Sequence, residues 1–141
     1  MMVSLVKNSK MKREVLLMKN VFDGVNIANL IEVVKDPMTE QPAIIVEYAN
    51  HVEGEYKVLF KTFNDFDIRY YMFEILKALE YTHSVGIAHR DVKPHNVVID
   101  HPNRVLKLID WGLAEFYHPG KEYNVKVASK NYKGPELLTE L

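Results

Sequence analysis

A run of eight residues, His89–Asn96, constrains this chain more than any other feature of its sequence. It reads His-Arg-Asp-Val-Lys-Pro-His-Asn, and Asp110-Trp111-Gly112 and then Gly134-Pro135-Glu136 follow it along the chain. The run lies between a predicted helix and a predicted β-hairpin, so it is expected to be a loop. The pattern therefore allows one small site to contain a base, a cation, an amide and a second carboxylate.

The residue types in this run suit the transfer of a phosphoryl group. That reaction needs an acceptor hydroxyl in line, metal ions that bridge the phosphates, and positive charge near the transferring group. Asp91 can accept the hydroxyl proton, and Lys93 can direct its ammonium group at the departing phosphate. The amide of Asn96 and the carboxylate of Asp110 are oxygen ligands that Mg²⁺ prefers. A predicted hairpin between them would return both residues to the same edge.

The first third of the chain predicts a helix followed by a hairpin. Ser9–Val21 is expected to be helical, because Ser9 can cap it and apolar residues recur on one face. Leu30–Val34 and Ala43–Tyr48 are apolar runs rich in β-branched residues, joined by a polar stretch with two prolines. A short helix through Leu59 and Phe60 is expected next.

The strongest predicted helix covers Asp65–Ser84, and Gly86 is well placed to end it. Its apolar stripe at helical spacing comprises Ile68, Met72, Ile75, Leu76, Leu79 and His83. Two short strands, Val97–Ile99 and Val105–Ile109, should then form a hairpin. The sequence from Glu115 onward is irregular. The whole pattern predicts a mixed α+β fold.

Composition excludes several classes of function. The 141 residues suit one domain, and the formal net charge of −1 argues against a nucleic-acid or membrane-surface role driven by bulk charge. No apolar run approaches the roughly 20 residues of a membrane span. Since the chain has no Cys, disulfides, thiolate zinc sites and a catalytic Cys are excluded. An intracellular, reducing compartment fits this composition.

The three motifs together resemble the protein-kinase pattern H-R-D-x-x-x-x-N, D-x-G and a later Pro-Glu. The chain also resembles the catalytic alpha subunit of casein kinase II, in which Trp takes the place of the usual Phe of D-x-G. The segments that carry this closer resemblance are His89–Asn96, Asp110–Gly120, Glu122–Val125, Val127–Ser129, Lys133–Leu138, Asp67–Arg69, Glu74–Leu79 and Val34–Pro37.

The resemblance implies a partial protein-kinase-like fold, truncated at both ends. Residues 1–47 would be a remnant of the N-terminal lobe, 48–56 the hinge and a loop, and 57–141 the first part of the helical C-terminal lobe through the activation segment. It also implies a serine/threonine kinase that transfers the γ-phosphate of ATP, or of GTP, to acidic protein sites in the cytoplasm and nucleus.

The resemblance further implies roles for individual residues. Asp91 would be the catalytic base, Lys93 the phosphate-contacting lysine, and Asn96 and Asp110 the Mg²⁺ ligands. The expected nucleotide-binding residues are Val46, Glu47, Ala49, Val98 and Asp110, together with Glu14 as the helix glutamate that pairs with a strand lysine. Lys126, Lys130 and Lys133 match positions that bind acidic substrate groups.

Charge gives the substrate expectation a physical basis. Between Lys121 and Lys133 the sequence has four Lys and one Glu, a local charge of 4 − 1 = +3. These lysines could equally be a solvated loop face. The strands within Val33–Val46 resemble part of the surface on which the regulatory beta subunit of casein kinase II docks, so that subunit is an expected partner.

Two expected parts of a kinase are missing from the sequence. The first glycine, Gly24, follows the helix that a glycine-rich phosphate loop should precede. The candidate strand lysine, Lys7, is only seven residues before Glu14. Because the chain stops at Leu141, we also expect the apolar stripe of the Asp65–Ser84 helix to lack cover. A truncated, non-catalytic fragment that binds partners or substrates is therefore the alternative function.

Several residues have plain structural interpretations. His89 and Arg90 would organise the loop rather than react. Glu14 could instead pair with Lys10 on the helix surface. Three hydroxyl residues, Tyr117, Tyr123 and Ser129, could be phosphorylation sites, but we interpret them as structural.

Overall fold

The computed structural model describes residues 8–50, 56–124 and 126–138. This part of the chain contains three α-helices and three small antiparallel sheets. Each of these sheets has two strands. Helices and antiparallel hairpins alternate along the chain, which confirms the predicted α+β class. Lys7 lies outside the described residues.

Helix α1 (Asn8–Asn20) and a hairpin of β1 (Leu30–Lys35) and β2 (Pro42–Val46) form the N-terminal part. The apolar face of α1 buries Met11, Leu17 and Met18, so the predicted helix is confirmed to within one residue at each end. Strand β2 was expected to reach Tyr48. It ends at Val46, which is the Cα partner of the first residue of β1, Leu30.

Helices α2 (Tyr56–Thr62) and α3 (Asp65–Ser84) follow. A capping box begins α3: the Asn64 side chain accepts from the Asp67 amide at 2.9 Å, and the Asp67 carboxylate accepts from the Asn64 amide at 3.0 Å. After its C-terminus, Gly86 adopts a φ of 72°, which glycine tolerates without strain. Both predicted ends of this helix are confirmed.

Helix α3 buries a different face from the predicted stripe. Its buried residues are Asp67, Tyr71, Glu74, Ala78 and Thr82. Most of the stripe is turned outward, where Phe73 lies beside it. The exposed members are Ile68, Met72, Leu76 and His83, while Ile75 and Leu79 are half-buried. The expectation that this stripe lacks cover is therefore confirmed for the described part of the chain.

The remaining strands are short and surround the polar loop. They are β3 (Ile87–Ala88), β4 (Val97–Asp100), β5 (Val105–Leu108) and β6 (Glu115–Phe116). The predicted β4–β5 hairpin is confirmed, with Val97 opposite Leu108 and Asp100 opposite Val105. The β3–β6 pair was not predicted, because two residues per strand carry no readable periodicity.

One hydrophobic core joins the N-terminal part to the rest. It contains Leu17, Met18, Val21, Ile27, Ala78, Ile87, Leu108, Trp111 and Ala114. Main-chain hydrogen bonds reinforce it: the Ala28 amide donates to the Leu108 carbonyl at 3.2 Å, and the Leu108 amide donates to the Asn26 carbonyl at 2.7 Å. Among the described residues no helix is long and apolar enough to cross a membrane.

Candidate active site

The carboxylate of Asp91 is the centre of the polar loop between β3 and β4. Its residue is 4% exposed, and both carboxylate oxygens are occupied. Oδ2 accepts from Nζ of Lys93 at 2.6 Å and from Nδ2 of Asn96 at 3.0 Å. Oδ1 accepts from the amide nitrogen and from Oγ of Ser129, each at 3.1 Å. The loop thus fixes the orientation of this carboxylate.

These contacts also set the charge of Asp91. Burial acts to raise the pKa of its carboxyl group, but the hydrogen bond and positive charge of Lys93, helped by Ser129 and Asn96, outweigh that effect. The pKa is lowered, so the group is ionised at neutral pH. An ionised carboxylate can accept a proton from a hydroxyl group.

His89 connects the same loop to the end of the β4–β5 hairpin. The Asp91 amide donates to Nδ1 of His89 at 3.3 Å, and Nε2 lies 3.0 Å from the carbonyl oxygen of Ile109. The ring packs edge-on against Trp111, with centroids 4.8 Å apart. Burial lowers the pKa of the imidazole. His89 therefore lies in the scaffold of the loop, as its sequence interpretation requires.

The predicted Mg²⁺ ligands, Asn96 and Asp110, begin and end the stretch that carries the β4–β5 hairpin. The Ile109 amide donates to the Asn96 carbonyl at 3.0 Å, which brings the residue before Asp110 against Asn96. Nδ2 of Asn96 is used by Asp91, since it donates to the carbonyl oxygen at 2.8 Å as well as to Oδ2. The amide oxygen of Asn96 remains as its potential metal ligand.

Asp110 and Gly112 follow the β4–β5 hairpin and lie at the same end of it as Asn96. Asp110 has a φ of 66°, and Oδ1 accepts from the Gly112 amide at 3.2 Å. A Cβ at Gly112 would lie 3.2 Å from that same oxygen, so glycine keeps the space beside it open. Within residues 8–50, 56–124 and 126–138 no three His, Asp or Glu side chains gather as a metal site. The donor set fits Mg²⁺, which commonly takes one or two protein oxygens and fills the rest with phosphate and water.

Glu14 on α1 lies near Gly112 and Asp110. A Cβ on Gly112 would lie 4.0 Å from Oε2 of Glu14, and the charge of Asp110 acts on the Glu14 carboxyl group. Burial, and then Asp110, raise the pKa of Glu14. Among the described residues it forms no ion pair, so the alternative pairing with Lys10 is not made. The expected lysine partner, Lys7, is not among those residues.

Lys107 links two of the predicted nucleotide-binding residues, Glu47 and Val98. Lys107 pairs with Val98 across the β4–β5 ladder, and its Nζ lies 3.0 Å from Oε1 of Glu47. Burial acts to raise the pKa of Glu47. The hydrogen bond and charge of Lys107, together with the hydrogen bond from the Asn29 amide, outweigh burial, so the pKa of Glu47 is lowered. Val98 is buried and Val46 is 41% exposed. Ala49 is half-buried two residues beyond Glu47.

The three predicted substrate lysines lie along the loop that carries Ser129. Lys126 and Lys130 are exposed and Lys133 is half-buried. Lys130 begins a 3-10 turn, Lys130–Tyr132, directly after Ser129. None of the three makes an ion pair with any residue that the structure describes.

Sequence reasoning missed two contributions to the site. Ser129 was interpreted as structural, and the sequence did not reveal that its hydroxyl contacts both Asp91 and Lys93. Arg13 on α1 was not singled out, although its Nη2 donates to the Ala114 carbonyl at 2.9 Å and to Glu115 at 2.5 Å. Both contacts join residues far apart in the chain, so no local sequence signal could have revealed them.

Fold and loop together are those of a phosphotransferase of the kinase class. The family model described as "Protein kinase domain" matches residues 3–141. The chain belongs to the protein kinase domain family, and the coarse prediction of a kinase is confirmed. The roles of the individual site residues and the lobe boundaries stay predictions.

Proposed function

We propose that this chain is a serine/threonine protein kinase of the casein kinase II alpha type. It would transfer the γ-phosphate of ATP, or of GTP, to Ser or Thr in acidic sequences, in the cytoplasm and nucleus. The observation that carries this proposal is the Asp91–Lys93 pair, with 2.6 Å between Nζ and Oδ2 in a nearly buried loop.

The pair provides two of the functions that the reaction requires. Asp91 would accept the hydroxyl proton of the protein substrate, for which its lowered pKa keeps it ionised. The side chain of Lys93 is 20% exposed, so its ammonium group could also contact a phosphate that enters from solvent. Lysine is well suited to this contact because it acts as a mobile point charge.

Other residues would hold the nucleotide. Mg²⁺, when bound by Asn96 and Asp110, would neutralise charge on the phosphates. Val98 would lie under the base, and the main chain of Glu47 and Ala49 would bind its edge. The Glu47 side chain is engaged by Lys107, and the Glu47 amide donates to the Asn29 carbonyl at 2.8 Å, so the Glu47 carbonyl oxygen would make the contact with the base.

The acidic substrate preference rests on charge. Lys126, Lys130 and Lys133 lie within a segment of local charge +3 that surrounds Ser129. Carboxylates on either side of the target hydroxyl would be attracted to these cations. Because Lys126 and Lys130 are exposed, their attraction should weaken as salt is added.

A non-catalytic fragment that binds kinase partners or substrates is the alternative, and the exposed apolar residues of the β1–β2 hairpin favour it. The regulatory beta subunit of casein kinase II would bind the β1–β2 hairpin, where Ile31 and Val33 are exposed.

The discriminating experiment measures Mg-ATP-dependent phosphorylation of a serine peptide with flanking acidic residues. The comparison is with Asp91→Asn, which removes the base and should lower the rate by about 10²- to 10⁴-fold. Asp23→Asn is the matched control, because Asp23 is exposed and has a φ of 61°, which asparagine adopts readily.

Transfer by the native chain and by Asp23→Asn, but not by Asp91→Asn, would support the kinase proposal. Equal rates for all three chains would contradict it. Binding of the purified beta subunit without any transfer would favour the alternative.

A further inference from the structure

We propose that Lys107 is a positioning residue for the nucleotide. Its ammonium group would hold Glu47, the residue after β2, against the β4–β5 hairpin that supplies Val98. The inference rests on the proposed kinase function, in which the base lies between Val98 and the Glu47 carbonyl oxygen. The observation that carries it is the contact of Nζ of Lys107 with both oxygens of the Glu47 carboxylate, at 3.0 Å to Oε1 and 3.1 Å to Oε2.

The ammonium group of Lys107 finds its acceptors inside the chain. Besides the two carboxylate oxygens, it donates to the main-chain carbonyl of Ile27 at 3.3 Å. An ammonium group has three donors and no acceptor, so these oxygens satisfy it. The side chain is only 20% exposed, so little water competes for those donors. Lys107 therefore differs from Lys93, because it is placed to hold segments of the chain together rather than to bind a phosphate.

Asn29 holds Glu47 from a second side. The Asn29 amide donates to Oε2 of Glu47 at 3.2 Å, and the Glu47 amide donates to the Asn29 carbonyl at 2.8 Å. The Asn29 side chain is itself fixed, since its Oδ1 accepts from the Asp23 amide at 2.8 Å. Both the side chain and the main chain of Glu47 are therefore restrained, which also limits the movement of its carbonyl oxygen.

Lys107 also lies beside the residue that would support the base. It is the Cα partner of Val98 in the β4–β5 ladder, and side chains of directly opposite residues lie on the same face of a sheet. Val98 is 6% exposed, so the surrounding packing fixes its position. One side chain therefore links the residue under the base to the residue at its edge, and sets the distance between them.

Other contacts between these parts of the chain lie further from the base. Main-chain hydrogen bonds join Leu108 to Asn26 and Ala28, before β1 begins. Among the described residues, no other ion pair joins the segment 47–50 to the β4–β5 hairpin. Loss of the Lys107 ammonium group should therefore loosen the edge of the base site and leave the hydrophobic core intact.

Lys107→Met should weaken nucleotide binding without slowing the transfer step. The change removes the charge and keeps an apolar stem, so Glu47 loses the contact that holds it to β5. Among the described residues, Lys107 makes no hydrogen bond or ion pair with Asp91 or Lys93, so the transfer step should be preserved. We expect the KM for ATP to rise about tenfold, the effect of losing a hydrogen bond to a charged group. The peptide KM and kcat should change by less than about twofold.

The experiment compares the native chain with Lys107→Met, Lys107→Arg, Glu47→Gln and the double variant Lys107→Met/Glu47→Gln. Isothermal titration calorimetry measures the affinity for Mg-ADP, and steady-state kinetics with an acidic serine peptide measure kcat and both KM values. Lys77→Met is the matched control, because Lys77 also forms a partly buried ion pair, with Glu74 at 3.0 Å, but on α3. Thermal unfolding without nucleotide checks that each chain is folded.

We expect Lys107→Met and Glu47→Gln to bind Mg-ADP about tenfold more weakly than the native chain and Lys77→Met. Lys107→Arg should keep most of the affinity, because a guanidinium group also pairs with a carboxylate. Since Lys107 acts through Glu47, the double variant should bind no more weakly than either single variant. Glu47→Gln decides the question if Lys107→Met fails to fold, because the Glu47 side chain is 36% exposed.

Equal Mg-ADP affinities of Lys107→Met, Glu47→Gln and Lys77→Met would overturn the inference. Additive losses in the double variant would also overturn it, and so would a rise in the peptide KM as large as the rise in the ATP KM. The kinase proposal fails separately, if the native chain binds Mg-ADP but phosphorylates no peptide, and the Mg-ADP affinities then still decide the role of Lys107. If the native chain neither binds Mg-ADP nor transfers phosphate, both proposals are wrong.

Discussion

The main-chain amide of Asp91 donates a hydrogen bond to Nδ1 of His89, with 3.3 Å between the two nitrogens. Because Nδ1 accepts, the proton of the neutral ring must be on Nε2, where the Ile109 carbonyl receives it at 3.0 Å. One imidazole thereby connects the main chain of Asp91 to that of Ile109, the residue before Asp110. A protonated ring would lose the first of these bonds.

A pH dependence follows for His89. Burial puts its folded pKa below the unfolded value of about 6.5. Below that pH the unfolded chain binds a proton that the folded chain does not, so stability falls as the pH drops below about 6.5. The loss is at most about 1.4 kcal/mol per pH unit. Urea midpoints across this range, with nitrogen NMR of the ring, measure it. A ring protonated at Nδ1 would contradict the prediction.

Replacing Glu14 by glutamine should stabilise the chain at neutral pH. The folded pKa of Glu14 is raised by burial and by Asp110, so the contribution of its neutral form is present at low pH and lost as the pH rises through the folded pKa. Glutamine removes the charge without changing the shape. We expect the melting temperature to rise by roughly 1–4 °C at pH 7 and not to change at pH 3. A fall at pH 7 would mean that Glu14 has a cation partner.

Lys93→Met should impair both stability and transfer. The change leaves the nearly buried Asp91 carboxylate without its cation, which we expect to cost about 2 kcal/mol at pH 7. Because the folded pKa of Asp91 is lowered, this difference should disappear as the pH falls through that pKa.

The peptide-phosphorylation rate of Lys93→Met should drop by about 10²-fold or more. Lys35→Met is the control, since Lys35 forms an exposed pair with Glu40. Denaturant curves and peptide assays of both variants decide this. Equal losses for the two variants would refute a special role for Lys93.

Substrate charge should be recognised by the three lysines around Ser129. Replacing Lys126, Lys130 and Lys133 together by glutamine should raise the KM for an acidic peptide by about 10- to 100-fold at low salt, with kcat little changed. The control replaces three lysines elsewhere, Lys12, Lys19 and Lys57, so that net charge is matched. Steady-state kinetics at two salt concentrations separate the effects. A similar rise in KM for the control would point to bulk charge instead.

The uncovered face of α3 should tolerate polar residues. Met72 and Leu76 are 52% and 57% exposed, so changing both to glutamine should alter stability by less than about 0.5 kcal/mol each. Self-association of the chain, measured by light scattering, should decrease. Ala78→Gln on the buried face is the contrasting variant and should unfold the protein. A large loss of stability in the double variant would show that the exposed stripe is covered in solution.

Local signals explain what the sequence predicted. The ends of α3 were predictable, because Asn64 and Asp67 form a capping box and Gly86 supplies the left-handed residue that follows. Asp91, Lys93 and Asn96 were predicted together for a similar reason. They lie within six residues of one loop, so their contacts do not depend on pairing between distant parts of the chain.

Contacts between distant residues explain what was missed. The contact between Ser129 and Asp91 joins residues 38 apart in the chain, and the Glu47–Lys107 pair joins residues 60 apart. The face of α3 that becomes buried was also missed, since Tyr71, Glu74 and Thr82 look polar in a periodicity pattern. Asn26, which bonds to Glu74, and His101, which bonds to Tyr71, make that polar face suitable for burial.

The shared core limits how this chain could be divided or recombined. Leu17, Met18 and Val21 from α1 pack in one cluster with Ala78 and Trp111, so each segment completes the other's interior. A proteolytic cut between β2 and α2 would leave two pieces with open apolar faces. The two pieces should therefore unfold in a single cooperative transition.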